Sequence, residues 1–289
     1  MENIYQETKF ILKKYGIRAN KNLGQNFLIN QEVIDSIILG AKVSKEDLII
    51  EIGPGLGTLT KSLLEKAGKV ISIEIDNKMI RILEDRFKLY DNFELINEDI
   101  LKVDLNKIIE ENLKKLNLKM AKIVANLPYY ITTPIIMKLL EERINVETIT
   151  VMIQKEVAER IIAMPGTKLS GAITYSVYYY SESNKILEVM PNSFIPEPSV
   201  NSEVINIKLR KEKAIITTDE KLMFKIIKYA FMQRRKTFVN ALSNSLNSFS
   251  KDEILKVLEK LKINTNIRGE ELSLEDYSNI TNELKIIHK

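Results

Sequence analysis

The chain has 289 residues, 45% of them hydrophobic, and a net charge of +4, enough apolar content and length for one large domain and a small one. It has no cysteine and one histidine, His288, beside the C-terminal residue, which excludes disulfides and thiolate chemistry and argues against zinc sites and a Ser-His triad. Glu2, Glu7, Lys9, Lys13 and Lys14 interrupt the N-terminal apolar residues, so no signal peptide is expected, and no apolar run approaches the ~20 residues that span a bilayer; the expectation is a cytoplasmic protein with no membrane segment and no metal.

In chain order, Leu48 to Ile52 is the first β-branched apolar run and reads as a buried strand. It passes into Glu51-Ile52-Gly53-Pro54-Gly55-Leu56-Gly57-Thr58, whose glycines let the backbone bend sharply and approach a ligand. An ordinary glycine turn is the alternative. Thr58 stands where the dinucleotide fingerprint needs its last glycine, and Glu51 would repel a pyrophosphate, so a nicotinamide or flavin site is disfavoured. A helix over 58–67 and a strand over 70–75 follow. Glu74, near the end of that strand, is placed to take both hydroxyls of a ribose, and Asp76 reads as the N-cap of a helix over 77–87. After a strand over 93–96, Asp99 either accepts from an adenine amine or caps the next turn; the residues alone do not choose.

A helix over 104–116 leads to a strand over 122–125 and directly into Asn126-Leu127-Pro128-Tyr129. An amide oxygen and a backbone carbonyl there can accept both N–H bonds of an exocyclic amine and aim its lone pair at a methyl donor. Pro128 has no N–H, which should leave the turn's carbonyls free, and Tyr129 offers a face for a flipped-out base. A strand ending in a proline turn is the plain alternative. A helix over 133–143, with Pro134 in its first turn, and a strand over 148–153 come next. After the proline-rich stretch 191–198, a strand over 203–209 is expected to return as an edge strand.

This alternation predicts an α/β fold, a Rossmann-like parallel sheet with crossover helices. From about residue 211 only helical patterns remain, over 218–232, 235–247, 251–260 and 273–286, so a domain over 1–210 and a small all-helical domain over 211–289 are expected. Residues 210–289 hold 16 Lys+Arg against 11 Asp+Glu, whereas residues 1–209 hold 27 against 28. The basic excess suits a polyanion or a solvated lysine-rich surface. Lys221, Lys225, Lys228 and Arg235 share one stripe by helical spacing.

The glycine loop, Glu74, Asp99 and Asn126 fall at the ends of four successive strands, where the α/β rule places ligands. Together they suit an amino-acid moiety, a ribose and an adenine, the parts of S-adenosylmethionine.

The chain closely resembles the ribosomal RNA adenine dimethyltransferases of the small-subunit (16S) type, the dimethyladenosine transferase or kasugamycin-resistance family. The resemblance covers nearly all of it. It rests on Lys21 to Leu28, Glu51 to Gly57, Glu74-Ile75-Asp76, Glu98 to Leu101, Asn126 to Pro134, Gln154 to Arg160, Phe194 to Val200, Gln233 to Thr237 and Arg268 to Ser273. The family resemblance implies a cofactor-closing segment within residues 1–30, with Asn26 and Leu28 over the methionine end of the cofactor, Gly53 and Gly55 touching it through backbone, Glu74 on its ribose and Asp99 on its adenine. Asn126 would serve cofactor and target, and Leu127, Tyr129 and Phe194 would complete the target site. By its setting alone Phe194 reads as a core residue; the resemblance makes it the second face of an adenine stack. Asn201-Ser202 departs from the Asp-Ser of many members, at a place not expected to touch the cofactor. Lys221, Lys225, Lys228, Arg234, Arg235 and Lys236 would meet RNA phosphates. The implied activity is dimethylation of two adjacent adenosines in an assembling small ribosomal subunit, by a monomer. A large-subunit methyltransferase and a non-catalytic assembly factor are the rival readings.

Overall fold

The computed structural model describes residues 4–19, 24–245 and 248–287. Lys21 to Leu23 of the N-terminal motif, the last two positions of the helix expected over 235–247, and His288 lie outside the described residues.

The elements, in order, are α1 (Ile4–Lys14), β1 (Phe27–Leu28), α2 (Gln31–Gly40), β2 (Asp47–Ile52), α3 (Thr58–Lys66), β3 (Lys69–Glu74), α4 (Asn77–Phe87), β4 (Phe93–Asn97), α5 (Leu105–Leu116), β5 (Met120–Asn126), α6 (Thr132–Glu141) and β6 (Thr148–Gln154). They continue with α7 (Lys155–Ile162), α8 (Ala172–Tyr180), β7 (Ser181–Val189), β8 (Phe194–Ile195), β9 (Ser202–Leu209), α9 (Glu220–Met232), α10 (Phe238–Ser245), α11 (Lys251–Lys260) and α12 (Leu274–Ile287). The main sheet has seven strands in the order β4-β3-β2-β5-β6-β9-β7. β4, β3, β2, β5 and β6 pair in parallel, and β9 runs antiparallel to β6. Because β2 and β5 lie at its middle, their β-branched residues are covered on both faces: Leu48, Ile49, Ile50, Ile123 and Val124 have no exposed surface.

Asp76 caps α4 by accepting from the Lys78 N–H at 2.9 Å, as the sequence suggests. The α4 stripe of Met79, Ile82, Leu83 and Phe87 is buried in the same core as α1, α2 and α3, which fixes the helices against the sheet by their apolar faces.

Several expectations change. The 203–209 strand is not the edge: β9 is covered by β7, and β7 takes the outer place. Its sequence, Ser-Glu-Ser-Asn-Lys-Ile-Leu-Glu-Val, buries only its two ends, so it shows no alternation to read. Arg235 does not continue the α9 stripe, because the helix ends at Met232 and Gln233 leaves helical geometry.

The chain divides into two compact units, one of Met1–Ala158 with Asn184–Leu209, the other of Glu159–Ser183 with Arg210–Lys289. The continuous domain expected over 1–210 is therefore interrupted by 159–183. The physical reason is α8, whose Tyr175 and Tyr179 are buried in the core formed by α9 to α12. The Tyr175 hydroxyl donates to the Leu272 carbonyl at 2.6 Å, which satisfies its polar end, and burial pushes its pKa up to about 12. Among the described residues no helix is long and apolar enough to cross a membrane.

Candidate cofactor and base-binding crevice

A crevice of about 770 Å³, a volume that includes open solvent at its mouth, lies at the carboxyl ends of β2, β3 and β5. Its wall brings together the glycine loop after β2, Glu74, the Asn126 to Tyr130 turn, and residues 24–28 of the N-terminal segment. Glu51 and Glu74 both line it, and among the described residues no Lys or Arg does.

Each part is held by backbone chemistry. Gly53, Gly55 and Gly57 all have positive φ, of 66°, 57° and 78°, a region that side-chain-bearing residues rarely enter. The Gly53 N–H donates to the Ile73 carbonyl at 2.9 Å, so the expected backbone contact cannot use that N–H without breaking this bond. The Gly55 N–H donates to Glu74 Oε2 at 3.2 Å, while Glu74 Oε1 accepts from the Ile75 and Asp76 N–H groups, both at 2.9 Å. Glu74 is 7% exposed, and burial raises its pKa against these donors. A carboxylate has about four acceptor positions; the backbone fills both on Oε1 and one on Oε2. One ribose hydroxyl therefore fits directly, and the second requires the Gly55 N–H to let go.

Glu51 is fully buried. Its Oε2 accepts from the Thr60 and Ser72 hydroxyls at 2.7 Å each, yet desolvation outweighs these bonds and pushes its pKa up to about 7, with the Glu74 charge adding to the rise. The sequence had shown Glu51 only as a repeller of pyrophosphate.

At the other wall, Asn126 ends β5 and its Nδ2 donates to the Asn26 carbonyl at 3.4 Å. Asn26 in turn donates to the Gly24 carbonyl at 3.3 Å. The donated amide hydrogen leaves the Asn126 oxygen as the acceptor end of the side chain. One expectation fails here: the Pro128 carbonyl is not free, because it accepts from the Ile131 N–H at 3.3 Å and the Thr132 hydroxyl at 3.1 Å. Leu127 is 1% exposed and anchored by its N–H to the Met152 carbonyl at 3.1 Å. Tyr129 is half-buried, and its hydroxyl lies 2.6 Å from that of Ser202, which has no exposed surface. Ser202 thus positions a crevice aromatic, a contact that no local sequence pattern signals because it pairs residues 73 apart.

Asn26, Leu28, Gly53, Gly55, Glu74, Asn126, Leu127 and Tyr129 all line the crevice. Asp99 and Phe194 do not. The Asp99 carboxylate caps the Leu101 N–H at 3.0 Å, which is the capping alternative. It remains near the mouth, since its charge and that of Glu74 help raise the Tyr130 phenol after desolvation. Phe194 is 1% exposed, pairs with Leu28 in the small β1–β8 ladder, and sits in the core of the first unit. This is the core setting its surroundings suggest, and the expected stacking face is turned away from solvent because the β1–β8 pairing buries it.

In the second unit Lys221, Lys225 and Lys228 are exposed on α9, opposite the buried Met223, Ile226, Ile227 and Ala230. Arg235 and Lys236 are exposed in the following turn. Arg234 is engaged inside the unit: its guanidinium donates to the Lys168 carbonyl and lies 3.8 Å from Glu270. Among the described residues no cluster of His, Asp and Glu could hold a metal ion.

The family described as "Ribosomal RNA adenine dimethylase" matches residues 16–285. Proteins named ribosomal RNA small subunit methyltransferase A from Alkaliphilus metalliredigens and Clostridioides difficile are 47% and 46% identical over 278 residues, covering 96% of this chain and 96% and 95% of theirs. A dimethyladenosine transferase from Plasmodium falciparum superposes with a TM-score of 0.71 at 28% identity, covering 88% of this chain and 95% of its own. The 23S rRNA methyltransferase ErmE, with a TM-score of 0.66 at 22% identity over 90% of this chain and 100% of its own, shares the fold.

Proposed function

Because the chain belongs to the ribosomal RNA adenine dimethylase family, we propose that it transfers methyl groups from S-adenosylmethionine to N6 of two adjacent adenosines near the 3′ end of small-subunit ribosomal RNA. The products are N6,N6-dimethyladenosines, made in the cytoplasm on an assembling subunit by a monomer. The observation that carries this reading is the crevice itself: two buried carboxylates, no basic side chain among the described residues, and an Asn amide at the end of β5.

The donor set fits the cofactor. A phosphate-bearing dinucleotide would meet Glu51 and Glu74 with like charge, whereas a molecule with an ammonium and a sulfonium meets opposite charge. Glu74 has one acceptor position open for a ribose hydroxyl, and the left-handed glycines let backbone approach where a Cβ would project. When bound, S-adenosylmethionine supplies an electrophilic methyl on a positively charged sulfur.

The chain's own residues supply orientation. We assign the Asn126 Oδ1 to one N–H of the adenine amine and the Leu127 carbonyl to the other, since the Pro128 carbonyl is taken. The Tyr129 ring, held by Ser202, forms a stacking face, and Tyr130, which is 55% exposed at the mouth, is placed to meet the base first. Asp99 lies beside this mouth for the cofactor's adenine. No side chain has to act as general base, because the amine becomes strongly acidic as it alkylates; positioning and electrostatics carry the catalysis. Lys221, Lys225, Lys228, Arg235 and Lys236 contact RNA phosphates, and Arg234 braces the loop that contains Lys168.

The test is to map dimethyladenosine in both ribosomal subunits from cells with and without this protein. Loss from small-subunit RNA is expected. Loss confined to large-subunit RNA, or no loss, overturns the reading.

A further inference from the structure

Arg86 takes no part in the methyl transfer described above, yet it touches both the cofactor loop and the N-terminal helix. It sits on α4 with its side chain 12% exposed. One guanidinium nitrogen donates to the Leu56 carbonyl, inside the glycine loop, and another pairs with Glu7 of α1. Glu7 Oε2 also lies 3.6 Å from Lys61 on α3. A planar guanidinium suits two acceptors at a fixed angle, which an ammonium does not reproduce.

The neighbours of Arg86 act on the same two pieces. Phe87 fills the space beside Gly57, where an added Cβ would come within 2.5 Å of its ring. Asp85 takes the Lys14 ammonium at 3.1 Å and the Tyr15 hydroxyl, at the end of α1 and just past it. Three consecutive residues of α4 therefore hold the back of the glycine loop and the length of α1. The Leu56 carbonyl lies between Gly55, whose N–H is bonded to Glu74, and Gly57. Ile11 of α1 is buried in the same core as Phe27 and Leu28, which line the crevice.

We propose that Arg86 is a positioning residue for cofactor binding, which makes docking of the N-terminal helix and the shape of the glycine loop a single event. The crevice then has its cofactor-holding form only with α1 in place. The inference rests on the reading that the crevice holds S-adenosylmethionine.

The test is calorimetric titration of S-adenosylmethionine into the full chain, well below the melting temperature of each variant, alongside RNA binding. Arg86→Met keeps the stem and removes the guanidinium. It should weaken cofactor binding about tenfold, the scale of losing a charge-assisted hydrogen bond to the loop, and leave RNA affinity unchanged. Arg86→Lys should restore only part of the affinity. Glu7→Gln should weaken binding by about threefold, and more weakly at high salt because the pair is partly exposed. If Glu7 acts through Arg86, the double variant should match Arg86→Met alone. A purely structural ion pair would lower the melting temperature and leave cofactor affinity within twofold of the wild type, and that result overturns the proposal. So does a Glu7→Gln effect that multiplies in full on top of Arg86→Met. Should Arg86→Met not fold, Glu7→Gln decides alone, and affinity within twofold of wild type at low salt overturns it. A wild-type chain that fails to bind S-adenosylmethionine would refute the function, a result separate from variants that bind like the wild type.

Discussion

Glu51→Gln tests how the crevice stores charge. Burial raises the Glu51 carboxyl from its ordinary 4.5 to about 7, against the pull of Thr60 and Ser72. Between those values the folded chain binds a proton that the unfolded chain has lost, so stability falls as pH rises from about 4.5 through about 7 and is level above. At ~1.4 kcal/mol per pKa unit the penalty approaches about 3 kcal/mol at pH 8, part of it shared with Glu74 through their mutual repulsion. Glutamine never ionises and can still accept from both hydroxyls. Without cofactor, the variant should match the wild type near pH 5 and exceed it at pH 8 by about 2–3 kcal/mol, roughly 4–10 °C in Tm. Urea unfolding of both proteins at the two pH values measures this directly. A difference independent of pH, or a variant less stable at pH 8, would refute the burial argument.

Asn126→Ala should lower kcat by an amount on the order of 3 kcal/mol, about two orders of magnitude, as expected for losing one oriented dipole, with cofactor affinity also affected; near-normal turnover in a methylation assay would remove the orienting role. Glu74→Ala should weaken S-adenosylmethionine binding by about 1.5–3 kcal/mol, and unchanged affinity by calorimetry would show that the ribose lies elsewhere. Ser202→Ala and Tyr129→Phe each break the same 2.6 Å contact, so each should reduce kcat by about three- to tenfold with cofactor affinity unaltered. The double variant should be no worse than the poorer single one, and additive losses would mean that Ser202 does not act through Tyr129.

The sequence made the parallel core legible because β2, β3, β5 and β6 are short β-branched runs that the sheet buries on both faces, and the cap at Asp76 stands where its side chain accepts the expected N–H group. α8 was not legible. After Ala172, Ile-Thr-Tyr-Ser-Val-Tyr-Tyr-Tyr has poor helix propensity, and the chain adopts a helix there because the second core buries Tyr175 and Tyr179. At the site, the strand-end positions of Glu74 and Asn126 followed from alternation and the α/β rule. Ser202 and Arg86 did not, since each acts through a partner far along the chain, Tyr129 in one case and Glu7 and Leu56 in the other. Phe194 shows the converse: its place in the small β1–β8 ladder depends on a two-residue pairing with Phe27 and Leu28 that no local pattern announces.

The two buried carboxylates also bear on how the crevice tells cofactor from product. Methyl transfer converts a sulfonium into a neutral thioether, so the product differs from S-adenosylmethionine chiefly by one positive charge. A crevice that keeps Glu51 close to half-ionised near pH 7 gains from a cation there by finishing that ionisation, and gains less from the neutral sulfur. Preference for S-adenosylmethionine over S-adenosylhomocysteine should therefore grow between about pH 6 and 8, as the carboxylate that favours the cation becomes populated. In Glu51→Gln the ratio of the two affinities should be flat across that range. Titrating both ligands into both proteins at three pH values settles it: a wild-type ratio that does not change with pH would mean that Glu51 does not sense the sulfur's charge.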